Sequence, residues 1–125
     1  MRNTFSDQGG WENARSAALD ENEDGFRAYL KVVDDSVWDR AGWEQVRQAA
    51  LTAREHAAVL FIVDSLAPEH DYPIQVVDLS EESRPPFRCI ARELWGVDNN
   101  LNLANMDWEE FANRTDHRGV FRGFV

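Results

Sequence analysis

Two short apolar runs decide the fold: residues 57–67 read AAVLFIVDSLA, and residues 72–82 read YPIQVVDLSEE. Within them, residues 59–63 and 74–77 are almost uninterrupted apolar segments that are rich in β-branched side chains. Runs of this length are too short for a typical helix and favour strands buried on both faces, which is typical of parallel sheets. We therefore expect residues 59–63 to form a central strand, with residues 74–77 in the strand beside it.

The sequence around these two runs alternates between helical and extended periodicity. Apolar residues at three- and four-residue spacing predict one helix from Trp11 and another around Val46, the second capped by Ser36. Period-two alternation and short apolar runs predict further strands at residues 2–5, 26–33, 87–90 and 119–124. This order, roughly β-α-β-α-β-β-β-α-β, predicts a single α/β domain over residues 1–125, with a mixed, mostly parallel β-sheet covered by helices.

The charge of the chain limits the partners that it can bind. With 13 basic and 23 acidic residues the net charge is −10, so neither nucleic acid nor an anionic membrane is expected as a partner. A basic protein partner or a divalent cation would suit this charge. Residues 1–10 lack the apolar core of a signal peptide, and no apolar run reaches the length of a membrane span, so we expect a cytoplasmic protein.

An asparagine-rich stretch, DNNLNLANMDWEEFA at residues 98–112, admits two interpretations. Four residues match positions of a calcium-binding EF-hand loop: Asp98, Asn100, Asn102 and Glu109. Leu103, however, occupies the position that needs glycine for the sharp turn of such a loop. The second interpretation, which we favour, is an irregular connection whose amides satisfy backbone groups and which leads into a last helix, with Asp107 and Glu110 forming a capping box.

Several aspartates follow predicted strands, at the edge where a parallel α/β sheet binds its ligands. Asp64, Asp78 and Asp34 are the candidates for a shared site, and carboxylate oxygens are the ligands that Mg²⁺ prefers. Such a cluster could support a metal-dependent enzyme. Aspartate after a strand is also an ordinary helix cap and turn former, which is the structural explanation of the same pattern.

Other residue types that carry catalysis give little support for an enzyme. His56, His70 and His117 lie in separate regions and do not pair at metal-ligand spacing. Cys89 is the single cysteine, so it forms no internal disulfide, and its place in a predicted strand indicates a core residue. We therefore assign no catalytic residue and no resident cofactor, with Mg²⁺ as the alternative.

The block ELWGVDNNLNLANMDWEEFA at residues 93–112 resembles a small bacterial family that is known only as a domain of unknown function. GVFRGF at residues 119–124 and FSDQGGWE at residues 5–12 fit the same pattern, so the resemblance spans nearly the whole chain. Thr4 departs from the pattern, which has aspartate there. No catalytic residues are established for the family, so the resemblance implies none here.

Two functions from different classes follow from these observations. The first is a non-enzymatic protein-interaction module, similar in composition to inhibitor or immunity proteins, whose acidic surface docks on a basic partner. The alternative is a Mg²⁺-dependent enzyme with its carboxylates at the strand ends. Carboxylates clustered around a pocket would favour the enzyme, whereas an exposed aromatic patch bordered by acidic residues would favour the interaction module.

Overall fold

The structure is a computed structural model, and it describes residues 1–53, 57–81 and 84–124. The helices are α1 (Gln8–Leu19), α2 (Trp43–Thr52), α3 (Leu94–Asn102) and α4 (Trp108–Ala112), with two 3-10 helices at Ser36–Trp38 and Ala91–Glu93. The strands are β1 (Val59–Ile62), β2 (Pro73–Asp78), β3 (Phe87–Ile90) and β4 (Val120–Phe121).

The four strands form one mixed sheet in the order β1-β2-β3-β4. β2 is antiparallel to both β1 and β3, and only β3 and β4 are parallel. The α/β class is confirmed, but the prediction of a mostly parallel sheet is wrong. The connections explain why: residues 63–72 and 79–86 are both shorter than the dozen or more residues that a parallel crossover needs, usually with a helix.

The apolar run at residues 59–63 is a strand buried on both faces, as predicted, and β2 lies beside it. Val59 and Phe61 face one core with α1, α3 and α4, while Ile62 faces a smaller core with Val46 of α2. The predicted central position is wrong, since β1 is the first strand of the sheet. Its outer edge is partly covered by residues 1–3, which pair with it through the parallel bridge between Arg2 and Val63.

Residues 26–34, which we call the strap, do not form the predicted strand. The strap runs outside residues 1–3, where the Arg2 N–H donates to the Val33 carbonyl at 3.1 Å. Of its alternating apolar residues only Ala28 is fully buried, and Phe26 is 50% exposed. The alternation of apolar and polar residues therefore does not mark a strand of the sheet. It arises because one side of an irregular segment contacts the core.

The asparagine-rich stretch begins inside α3, and the predicted irregular connection is limited to residues 103–107, which lead into α4. All three predicted ligands near the start of the loop lie on α3; the side chains of Asp98 and Asn102 face each other one turn apart, but Asn100 is two residues from each and faces away, so the three do not converge on one ion. The amide of Asn100 donates to the Gly96 carbonyl at 2.9 Å, and that of Asn102 to the Asp98 carbonyl at 2.8 Å. The amides thus bond along the helix that carries them.

The helix starts show which capping predictions hold. The last helix is α4, and the Glu110 carboxylate accepts from the Asp107 N–H at 2.7 Å, as the predicted capping box requires. Ser36 does not cap α2, which begins after Gly42. In α1 the Asp7 carboxylate accepts from the Gly10 N–H at 2.9 Å; a Cβ at Gly10 would lie 2.3 Å from that carboxylate, so the cap requires glycine there.

Candidate functional site

The three aspartates predicted as metal ligands lie apart. Asp78 is opposite Val59 at the start of β1, whereas Asp64 follows the end of the same strand. Antiparallel pairing therefore places these two carboxylates at opposite ends of the β1–β2 pair. Asp34 lies on the strap, where the Arg2 guanidinium contacts its carboxylate at 3.3 Å.

Each of the other two carboxylates is paired with an arginine. Arg88 of β3 donates to Asp64 through both terminal nitrogens, one at 2.9 Å, and also to the Pro73 carbonyl at 3.0 Å. Asp78 is buried, accepts from the Ser80 N–H at 2.7 Å and pairs with Arg84 at 3.0 Å. These bonds satisfy the carboxylates within the fold, as the ordinary structural explanation of strand-end aspartates requires.

The histidines and Cys89 are the remaining candidates for a metal or catalytic role. Across residues 1–53, 57–81 and 84–124, no three His, Cys, Asp or Glu side chains are grouped so that they could hold a metal ion. Cys89 is fully buried, and burial raises the pKa of its thiol well above the usual range. His70 is exposed beside Asp71, and His56 lies outside the described residues.

An exposed aromatic cluster lies where the strap meets α3. The Phe26 ring stacks on the Trp95 ring, with centroids 4.5 Å apart and the planes 17° from parallel. Tyr29 is 79% exposed, and its N–H donates to the Asp98 carboxylate at 3.2 Å, which ties the strap to the same helix. We call Phe26 and Trp95 the aromatic patch. A stacked aromatic pair that keeps half of one ring in solvent is a suitable platform for a partner.

A tight turn places acidic residues next to this patch. The Asn22 carboxamide oxygen accepts from the N–H groups of Asp24 and Phe26 at 2.9 and 3.0 Å, and the Asn22 amide donates to the Arg92 carbonyl at 3.4 Å. Gly25 completes the turn at φ 82°, a conformation that L side chains rarely adopt. The turn therefore holds the carboxylates of Glu23 and Asp24 at the base of the α3 helix rather than on a free loop.

The carboxylates of the turn interact with Glu93, which immediately precedes α3. Burial raises the pKa of the Glu93 carboxyl, and the negative charges of Glu23 and Asp24 raise it further, against the opposing effect of Arg92. Three carboxylates thus repel one another beside the aromatic patch. We call Glu23, Asp24 and Glu93 the acidic border; a cation placed there would relieve the repulsion.

One polar atom of the patch has no partner. The indole N–H of Trp95 is buried and makes no hydrogen bond with any of the described residues. An unpaired buried donor costs about 1–3 kcal/mol. The patch therefore combines exposed ring surface, negative charge and an unused donor.

A cavity of about 390 Å³ lies between the strap and β1, and Tyr29 and Asp98 are among its lining residues. Its walls are mostly apolar and come from α1, α2, β1 and the strap: Trp11, Ala18, Val46, Ala50, Val59 and Leu30. The Met1 amino group lies at its wall and donates to the Phe61 carbonyl at 2.9 Å. Burial of this amino group lowers its pKa to about 6.

Comparison with known proteins identifies the family but not a function. A family model described as a domain of unknown function (DUF6924) matches residues 1–124. The chain belongs to this family. The resemblance predicted from the sequence is thus confirmed as to family, while no curated protein and no solved structure matches the chain.

The aromatic patch and the acidic border of this DUF6924 domain have only weak sequence signals. Phe26 and Trp95 are 69 positions apart and belong to different predicted elements, so nothing in the sequence pairs them. The acidic run at residues 20–24 is visible, but its position beside α3 depends on the Asn22 turn. Within the described ranges, no helix has the length and apolarity needed to cross a bilayer.

Proposed function

We propose that this domain is a non-enzymatic, cytoplasmic protein-interaction module that docks a basic partner on the aromatic patch and its acidic border. The observation that carries the proposal is the half-exposed Phe26 ring, stacked on Trp95 directly after a turn that positions two carboxylates. An exposed aromatic patch bordered by acidic residues is the feature that distinguishes an interaction module from an enzyme in this chain.

The chemistry of the patch suits an arginine or lysine side chain of the partner. A cation over an aromatic face is attracted by the ring by about 0.5–2 kcal/mol, and carboxylates at the edge add charge-assisted hydrogen bonds. The strap itself contains such a contact, since the Arg27 guanidinium lies 5.1 Å from the Tyr29 ring centroid. A partner cation would use the Phe26 ring and the carboxylates of Glu23 and Glu93 in the same way.

The net charge of −10 also supports the proposal, because it affects the rate at which a partner associates. A strongly acidic protein steers a basic partner into encounter and repels acidic ones, and this steering weakens as salt screens the charges. The carboxylates at the predicted metal positions do not offer a comparable binding surface, because Arg88 and Arg84 already neutralise Asp64 and Asp78.

The test compares substitutions that change the patch with a matched one that does not. Glu23→Gln and Glu44→Gln each remove one exposed carboxylate, but Glu44 lies on α2, on the opposite face of the sheet from α3. Immobilised parent protein should retain a basic protein from native extract at low salt, and Glu44→Gln should retain it equally. Retention should fall with Glu23→Gln and further with Phe26→Ala; equal retention by all four proteins would refute the proposal.

A further inference from the structure

Arg47 of α2 supplies a hydrogen-bond donor that the sheet lacks. Val76 pairs with Phe87 in the antiparallel β2–β3 ladder. Two residues further along, the backbone of Asp78 faces β3 again, and the same register places it opposite Pro85. Proline has no N–H, so the Asp78 carbonyl has no donor in β3. The Nε of Arg47 donates to this carbonyl at 2.8 Å, which fixes the position of the guanidinium.

The charge of Arg47 lacks a counter-charge within the described ranges. Arg47 is only 7% exposed, yet none of the described carboxylates forms an ion pair with it, including that of Glu44 one turn earlier on α2. Two other arginines are mostly buried, Arg2 and Arg88, and each pairs with an aspartate. A neutral donor would satisfy the Asp78 carbonyl without the cost of burying an unbalanced charge. The charge of Arg47 therefore needs an explanation beyond this hydrogen bond.

The end of the Arg47 guanidinium reaches the surface. Its Nη1 and Nη2 atoms make no hydrogen bond with the described residues. They are not fully buried, because in this part of the chain the Trp95 indole nitrogen is the only fully buried side-chain nitrogen or oxygen without a partner. A guanidinium whose Nε is fixed on a carbonyl still presents these two nitrogens side by side. This is the arrangement that binds both oxygens of a carboxylate.

Apolar side chains flank Arg47 on the surface of α2. Trp43 lies four residues before Arg47 and Leu51 lies four residues after it, so both are one helical turn away on the same face. Trp43 is partly buried against the cluster that contains Val46, and Leu51 is 37% exposed. A carboxylate bound at Nη1 and Nη2 would therefore have apolar side chains on both sides along the helix.

We infer that Arg47 binds the carboxylate of a ligand from outside the chain, and that this ligand carries an apolar group next to its carboxylate. The carboxylate supplies the counter-charge that the described residues do not, and it accepts from Nη1 and Nη2. A carboxylate suits the site better than a phosphate, because a net charge of −10 repels a dianion more strongly than a monoanion. The site lies on α2, on the opposite face of the sheet from α3, so the inference is independent of the proposed function.

The test adds sodium butyrate to isotope-labelled protein and follows the side-chain Nε–H signal of Arg47 by NMR. Butyramide has the same shape without the charge and is the matched control ligand. Butyrate should shift the signal with half-saturation at about 10 mM or below, butyramide should leave it unchanged, and phosphate should bind at least about tenfold more weakly. No saturation by about 100 mM butyrate, an equal response to butyramide or an equal affinity for phosphate would overturn the inference.

A pair of lysine variants separates a ligand site from a purely structural arginine. Arg47→Lys keeps the charge and a donor for the Asp78 carbonyl but loses the paired Nη nitrogens, so butyrate affinity, followed on the backbone N–H signals of α2, should fall at least about tenfold. Arg15→Lys, at an exposed position of α1, should bind butyrate as the parent does. Equal affinities of the two variants would contradict the inference, and the butyrate and butyramide comparison on the parent decides it if Arg47→Lys does not fold.

Two glutamates outside the described residues, Glu55 and Glu82, are tested separately as counter-ions from within the chain. If either carboxylate paired with Arg47, its replacement by glutamine would shift the Arg47 Nε–H signal without any ligand and would raise the affinity for butyrate. We expect Glu55→Gln and Glu82→Gln to leave both the signal and the affinity unchanged. A shift together with tighter butyrate binding in either variant would show that the chain supplies its own carboxylate, and would overturn the inference.

Discussion

Replacement of Asp64 by asparagine distinguishes a structural carboxylate from a metal ligand. Asp64 and Arg88 join the end of β1 to β3 across the sheet, and their side chains are 18% and 19% exposed. Asparagine keeps the shape of the aspartate but removes the charge that compensates the Arg88 guanidinium. The change therefore leaves a mostly buried cation with weaker partners.

The expected cost follows from the burial of the pair. Removal of one partner from a fully buried ion pair costs about 3–5 kcal/mol. Because nearly one-fifth of each side chain reaches water, which hydrates the arginine left behind, we expect Asp64→Asn to lower the free energy of unfolding by about 2 kcal/mol. Adding Arg88→Gln to that variant should recover part of the loss, with a coupling energy of about 1–2 kcal/mol.

Urea unfolding followed by tryptophan fluorescence, with and without Mg²⁺, measures both the stability and any metal binding. The structural account predicts that the parent and both variants are unaffected by Mg²⁺, and that Asp64→Asn unfolds at lower urea in either buffer. The reasoning would be refuted if Asp64→Asn were as stable as the parent without metal while Mg²⁺ stabilised the parent alone.

Three further predictions concern single groups. Burial lowers the pKa of the Met1 amine from 8.0 to about 6, so the unfolded state binds more protons than the folded state between these pH values. The free energy of unfolding should therefore rise by about 2 kcal/mol from pH 6 to 8. Urea titrations measure this rise, and N-terminal acetylation should abolish it. The pKa of Glu93 is raised in the folded protein, so ionisation of this carboxyl opposes folding near neutral pH. Glu93→Gln should therefore raise Tm at about pH 7 but not at about pH 4, where the carboxyl is mostly protonated in the folded and the unfolded state. A gain in Tm that persists at the lower pH would contradict this direction of the pKa shift. Glu110→Ala removes the carboxylate that closes the start of α4. It should cost about 1 kcal/mol by thermal unfolding, whereas Glu110→Gln, which keeps an acceptor for the Asp107 N–H, should cost less.

The sequence predicted the buried strands but not their directions. An unbroken apolar run such as residues 59–63 shows that both faces of a strand are covered, and helices on both faces can cover an antiparallel pair as well as a parallel one. The lengths of the connections carried the missing information, because residues 63–72 and 79–86 are both too short for the helical crossover that joins parallel strands. Because β1 and β2 are antiparallel, the argument that placed Asp64 and Asp78 at one edge of the sheet does not apply.

The segments that differ most from expectation depend on contacts distant in sequence. α3 contains Gly96 and three asparagines, all poor helix formers, and it is supported from outside by the Ala58 N–H, which donates to the Asn102 carboxamide oxygen at 2.7 Å. The strap shows period-two alternation, but β1 is already flanked by residues 1–3, so the strap does not join the sheet. Local patterns could not indicate either contact, nor the stacking of Phe26 on Trp95.

Association kinetics test the central claim most directly. With the basic partner recovered on the parent protein, stopped-flow association should be measured for the parent, Glu23→Gln and Glu44→Gln at about 20 mM and 200 mM NaCl, a range over which screening becomes strong. If the acidic border guides and receives the partner, Glu23→Gln slows association and reduces its salt dependence more than Glu44→Gln does, and Phe26→Ala accelerates dissociation. Equal rates for the two glutamate variants, or unchanged dissociation of Phe26→Ala, would show that the partner binds elsewhere and would contradict the account.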